Sequence, residues 1–90
     1  MRNYVQIPSS FGAALLKTRL AANLSQEVLA DKAGLDRSYM SLLERGKRQP
    51  SVKVLFQLAD ALGVSPASFL SAIEEDCPLN GEKISTMRES

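Results

Sequence analysis

An all-α fold of five short helices is what this sequence predicts, and three observations predict it. Apolar residues recur at spacings of three and four along most of the chain, as they do on the buried stripe of a helix. No segment shows the period-two alternation of a half-buried strand. Ser, Asp, Asn and Gly residues interrupt the apolar stretches where helices are expected to start and stop.

The first helix is expected to take Ser9 or Ser10 as its N-cap and to run to about Ala22. Phe11, Leu15, Thr18 and Ala22 share one face, and Leu16 with Leu20 forms a second apolar pair beside it. Asn23 tolerates the left-handed conformation that ends a helix. Ser25 caps a second helix, Gln26 to Ala33, with Leu29, Ala30 and Ala33 inward and Gly34 closing it. Asp36 caps a third, from Arg37 to about Arg45, anchored by Met40 and Leu43 and ended by Gly46. After the basic loop Lys47, Arg48, Gln49 and Pro50, Ser51 caps a fourth helix carrying Val52, Leu55, Leu58, Ala59 and Leu62 before Gly63. Ser65, with Pro66 at the first helical position, opens a short fifth helix with Phe69, Leu70 and Ile73 on its apolar side. From Glu74 the periodicity fails. The sequence therefore divides into one domain over residues 9–73 and a polar tail over 74–90, with a core of Phe11, Leu15, Leu29, Ala30, Met40, Leu43, Leu55, Leu58, Leu62 and Phe69.

Ninety residues, 44% hydrophobic and 23% charged, suffice for one core and one site. There is one cysteine, Cys77, and no histidine. That composition excludes a disulfide framework, histidine-dependent catalysis and most zinc sites. Neither an enzyme nor a metal or other cofactor is expected, and Cys77 reads as an incidental thiol on the tail. No apolar run approaches the roughly 20 residues of a membrane span, and the first residues lack the order of a signal peptide, so a cytoplasmic protein with no membrane partner is expected.

The charge is unevenly distributed. Residues 1–53 hold nine Lys and Arg against four Asp and Glu, whereas residues 54–90 hold two against six. The first part can face an anionic partner that the second would avoid.

Gln26 to Arg45 reads as two short helices joined by a glycine-containing turn. In such a helix-turn-helix the second helix enters the DNA major groove with its first residues towards base edges, and the first helix crosses the backbone. Arg37 and Ser38 occupy that leading end. The run LSQEVLADKAGLDRSYMSLLERGKRQPSVKVLFQLADALGVSPASFL resembles the Cro/C1-type (XRE-like) helix-turn-helix family of phage repressors and bacterial regulators, over about residues 11–70. Within it, LDRSYMSLLERGKRQPS is most similar to the controller proteins of restriction-modification systems, small homodimers that time endonuclease expression.

The resemblance implies an all-α, five-helix, repressor-like DNA-binding domain, a two-fold homodimer and a palindromic operator in double-stranded DNA. It implies Gln26 on phosphate or a flanking base, Arg37, Ser38 and Ser41 on bases, and Tyr39, Lys47 and Arg48 on the backbone. Arg19 and Glu44 match a pair that forms an internal salt bridge in relatives. Bland alternatives stand beside these roles: Gln26 lying exposed in a first helical turn, Tyr39 as a core aromatic, Lys47 and Arg48 as a solvated loop. Phe56, Leu70 and Ile73 are apolar residues left over once the core is filled, and are expected at the dimer interface. A second reading gives the unpatterned acidic tail, residues 74–90, an antitoxin-type role in which it folds on a partner protein.

Overall fold

The computed structural model describes residues 4–77. A 3-10 turn, Tyr4–Gln6, leads into α1 (Ile7–Ala21), α2 (Gln26–Ala33), α3 (Arg37–Glu44), α4 (Val52–Leu62) and α5 (Pro66–Asp76), and no strand occurs among the described residues. The all-α, five-helix class expected from the periodicity is the class observed.

Four helices start as the capping residues dictate. The side-chain oxygens of Ser25, Asp36, Ser51 and Ser65 accept the backbone N–H of Val28, Ser38, Val54 and Ser68, satisfying donors that a helix leaves open. The start of α1 differs from expectation. Pro8 sits in the first turn and no side chain caps it, because proline's fixed φ and missing N–H already suit that position. Ser9 and Ser10 therefore lie inside the helix, and the buried Ser10 hydroxyl donates to the carbonyl oxygen of Asp76 at 3.3 Å.

The first four helices end alike. Asn23, Gly34, Gly46 and Gly63 are left-handed, with φ of 64°, 72°, 73° and 76°. The N–H of the next residue, Leu24, Leu35, Lys47 or Val64, returns to the carbonyl five residues back, on Arg19, Ala30, Leu42 or Ala59. This closure fixes the direction in which each following segment leaves.

α1 lies against α3 and α5, α2 against α3 and α4, and α4 also meets α5. The side chains between them are those the stripes select, Phe11, Leu15, Leu29, Ala30, Met40, Leu43, Leu58, Leu62 and Phe69, joined by Ala14, Ala33, Ala59 and Ile73. Phe11 and Phe69 tie α1 to α5 with ring centroids 5.6 Å apart and planes tilted by 57°. Where α1 crosses the end of α3, a Cβ on Gly12 would stand 2.6 Å from the carbonyl oxygens of Leu43 and Glu44. Only a hydrogen fits there.

Several details depart from the pattern. Leu55 is half-buried, packed against the core from its edge together with Val54, and Val52 is exposed. On α1, Ala22 is exposed and Arg19 turns inward in its place, while Leu16 and Leu20 remain on the surface. α5 continues past Ile73 to Asp76, so Phe69, Ile73 and Cys77 follow at i, i+4 and i+8 and all three are buried. Ile73, 9% exposed, is thus core rather than an apolar residue left for a second copy, and Cys77 is a buried residue closing α5 rather than a tail thiol. The folded unit is wider than residues 9–73 at both ends. The remainder of the tail, residues 78–90, and the partner role expected of it lie outside the described residues. No single described helix is long and apolar enough to cross a membrane; α4 and α5 are, together, apolar enough, but they meet at 105° and turn their apolar residues into the core.

Candidate nucleic-acid interface

The turn between α2 and α3 places the site. Gly34 takes the left-handed conformation that a Cβ would strain, the Leu35 N–H closes α2 on Ala30, and Leu35 packs against the core. Asp36 then starts α3 with its leading end outward. Met40 and Leu43 fasten one side of α3 into the core, which leaves Arg37 and Ser38 exposed and Ser41 half-buried on the other.

Arg37, Ser41 and Arg45 follow at i, i+4 and i+8. With Gln26, Asp36, Ser38 and Leu42 they line one shallow, open depression. Arg45 was not among the residues selected from the sequence, yet the same spacing that groups Arg37 with Ser41 points to it. Its Nε donates to the Ser41 carbonyl oxygen at 3.4 Å, which also accepts the Arg45 backbone N–H, and its charge stays on the exposed face.

Asp36 is the one carboxylate lining the depression. One of its oxygens accepts the Ser38 N–H at 3.0 Å and also the Ser38 hydroxyl. These two bonds, the hydroxyl's first, hold the carboxyl below its ordinary value against the opposing effect of desolvation, with the smallest contribution from the Tyr39 backbone. Asp36 is therefore ionised at neutral pH.

Tyr39 stands between the two readings weighed for it. It is half-buried against the core, and the Arg48 guanidinium carbon lies 5.7 Å from its ring centroid, within cation–π range. Lys47 closes α3 through its backbone, donating to Leu42 at 2.9 Å, and is otherwise exposed. The loop thus sets Lys47 and Arg48 beside the end of α3.

Behind the depression is an ion pair. Arg19 Nε stands 2.5 Å from Glu44 Oε2 and Nη2 donates to Oε1 at 3.1 Å, while Nη1 donates to the Leu24 carbonyl at 2.8 Å. The two side chains are 11% and 5% exposed. Glu44 Oε1 also accepts the Gln26 amide at 2.8 Å. Gln26 is consequently half-buried and held, not simply displayed in a first helical turn. Outside this depression, Phe56 on α4 and Leu70 on α5 are 50% and 51% exposed. Among the described residues no group of three or more His, Cys, Asp or Glu side chains could hold a metal ion.

The helix-turn-helix family model matches residues 15–69. An HTH-type transcriptional regulator of Sinorhizobium fredii is 38% identical over 71% of this chain and 83% of its own length. The solved restriction-modification controller protein C.AhdI of Aeromonas hydrophila is 44% identical, with a TM-score of 0.67 over 69% of this chain and 94% of that one. The controller protein C.Esp1396I, solved as a tetramer in complex with its natural 35 base-pair operator, is 33% identical, with a TM-score of 0.73 over 78% of this chain and 92% of that one. Other matched regulators are longer, and the chain spans 39% of them.

Proposed function

The chain belongs to the helix-turn-helix family of DNA-binding transcription regulators, and from that premise we propose that it binds a palindromic operator in double-stranded DNA as a homodimer. The observation that carries the reading is the face of α3. Arg37, Ser38, Ser41 and Arg45 stand on the side turned away from Met40 and Leu43, as a helix in the major groove requires.

In this reading Arg37 pairs with guanine O6 and N7 through two parallel hydrogen bonds. Ser38 and Ser41 meet neighbouring base edges, and Arg45 extends the line along the groove. Gln26, Tyr39, Lys47 and Arg48 hold phosphates, which position the domain without selecting sequence. The clamp by Glu44 and the stacking of Arg48 on Tyr39 favour these roles, since both reduce the freedom lost on binding. The exposed Phe56 and Leu70 supply the contact between two copies, placing two recognition helices about 34 Å apart. The homology to a controller solved on its operator supports the same arrangement.

The test is selection of bound sequences from a random DNA pool, followed by salt titration on the selected and on scrambled DNA. A palindrome is expected. Arg37→Ala should lose about 1–3 kcal/mol per half-site on the selected operator only. Arg48→Ala should weaken both DNAs alike and lower the salt slope by about one unit. Equal losses on the two DNAs for Arg37→Ala would remove Arg37 from the reading role.

A further inference from the structure

We propose that the Ser38 hydroxyl acts on DNA as a hydrogen-bond acceptor only, so that it reads an exocyclic amino group, adenine N6 or cytosine N4. The inference rests on the proposed placement of α3 in the major groove and specifies what one residue recognises there.

A serine hydroxyl carries one hydrogen and two lone pairs, and in general it can serve donors and acceptors alike. Its freedom here is limited by what it touches. The Ser38 hydroxyl meets Asp36 Oδ2, the oxygen that also takes the Ser38 N–H at 3.0 Å. An ionised carboxylate has no hydrogen to give and accepts only. The hydrogen in this contact must therefore come from Ser38, and what Ser38 has left for a ligand is its lone pairs. Asp36 is fully exposed and its carboxyl lies below its ordinary value, so the carboxylate persists at any pH at which DNA binding is measured.

The same residues line the depression beside Arg37 and Arg45. In the major groove guanine offers O6 and N7 and thymine offers O4, all acceptors, whereas adenine N6 and cytosine N4 are donors. An acceptor-only hydroxyl backed by a negative charge is repelled by the first set and matched by the second. Arg37, two bonds' worth of donor on the adjacent residue, has the opposite preference. The pair Arg37 and Ser38 thus presents a donor and an acceptor side by side, which fixes a keto group and an amino group at neighbouring positions instead of two contacts of one kind.

Every base pair carries one amino and one keto group on its major-groove edge, so a preferred letter alone does not decide the matter. Deleting single groups does. The Ser38-dependent base pair is located by comparing sequences selected by the wild type and by Ser38→Ala. Within it, the amino group is removed by substituting purine for adenine or pyrimidin-2-one for cytosine, and, separately, the keto group is removed from the opposite base. Amino deletion is expected to weaken the wild type about three- to tenfold per half-site, the range of one net hydrogen bond, and to leave Ser38→Ala unaffected. Keto deletion should cost both proteins equally. Asp36→Gly, which removes the acceptor oxygens and is still a tolerated residue before a helix, should bind all sequences more tightly and lose the dependence of Ser38 on the amino group. The proposal is overturned if the coupling follows the keto group, if Ser38→Ala changes no selected position, or if Asp36→Gly leaves the coupling intact. A wild type that still selects a palindrome through Arg37 in those cases leaves the DNA-reading role standing; a wild type that selects no sequence removes both.

Discussion

Replacing Glu44 with alanine should be among the most destabilising single changes in this protein. Glu44 receives three hydrogen bonds, at 2.5 and 3.1 Å from Arg19 and 2.8 Å from Gln26, on a side chain 5% exposed. Removing it leaves the Arg19 guanidinium charged in a site with little water. Breaking a buried pair in this way costs about 3–5 kcal/mol. Arg19 keeps its bond to the Leu24 carbonyl at 2.8 Å, and that remaining partner sets the expectation at the lower end, about 3 kcal/mol. Against the 5–15 kcal/mol of a typical small domain, that is a large part of the total. Urea unfolding at fixed protein concentration measures it. With a slope of about 1 kcal/mol/M for a chain of this size, the midpoint should fall by roughly 3 M at unchanged slope. The control is Arg19→Met with Glu44→Leu, which removes both charges and should lie within about 1 kcal/mol of the wild type. The reasoning is refuted if Glu44→Ala loses less than about 1 kcal/mol, or if the double variant loses the sum of the two single changes, since either result means that no buried charge was stranded.

Three further outcomes follow from the fold. Gly12→Ala should destabilise by about 1–3 kcal/mol, because the new methyl meets backbone carbonyl oxygens at 2.6 Å that cannot swing aside; thermal unfolding with α-helical content retained below the transition checks it. Phe56→Asp with Leu70→Asp should give a monomer at micromolar concentration by analytical ultracentrifugation while leaving the fold intact, since both side chains are about half exposed in the single chain. Asp36 gives a pH dependence whose sign is fixed. Its folded carboxyl is depressed, so the unfolded state binds more protons, and its contribution is complete above the ordinary aspartate range and lost as the pH falls through the folded value. In Asp36→Asn the acid limb of the stability curve should flatten there, and an unchanged limb would show that Asp36 contributes nothing to it.

The parts of this architecture that could be read from sequence are those set by local chemistry. Ser25, Asp36, Ser51 and Ser65 each cap the helix they precede, because a short oxygen-bearing side chain meets its acceptor role within three residues. The stripes of α2 to α5 gave most of the core for the same reason. What failed depended on contacts remote in sequence. Ser10 looked like a cap but is buried by Asp76, 66 residues away. Ile73 and Cys77 looked spare, because nothing local announces that α5 continues and turns both inward. At the site, Arg37, Ser38 and Ser41 follow from spacing and the Asp36 cap, whereas the hold of Glu44 on Gln26 spans 18 residues and joins two helices. Arg45 lies within reach of the i+4 rule, although as the residue that closes its helix it carries no cap or stripe that marks it locally.

A buried ion pair needs a reason, since well-packed apolar residues of similar volume serve stability as well or better. The reason here lies in the third partner. A leucine at 44 could fill the space behind α3, but it could not accept the Gln26 amide, and Gln26 stands at the start of α2 on the edge of the depression. Glu44 is the last residue of α3 and Gln26 the first of α2, so their bond fixes the separation of the two helices at the face proposed to meet DNA. Arg19, from α1, neutralises the carboxylate that does this. The charge pair therefore carries orientation rather than net stability, and the variant with Met at 19 and Leu at 44 separates the two. It should unfold near the wild-type midpoint yet bind the selected operator more weakly, because Gln26 would have to be ordered at the moment of binding. Wild-type affinity in that variant would mean that packing alone positions α2 against α3 and that the carboxylate has no part in it.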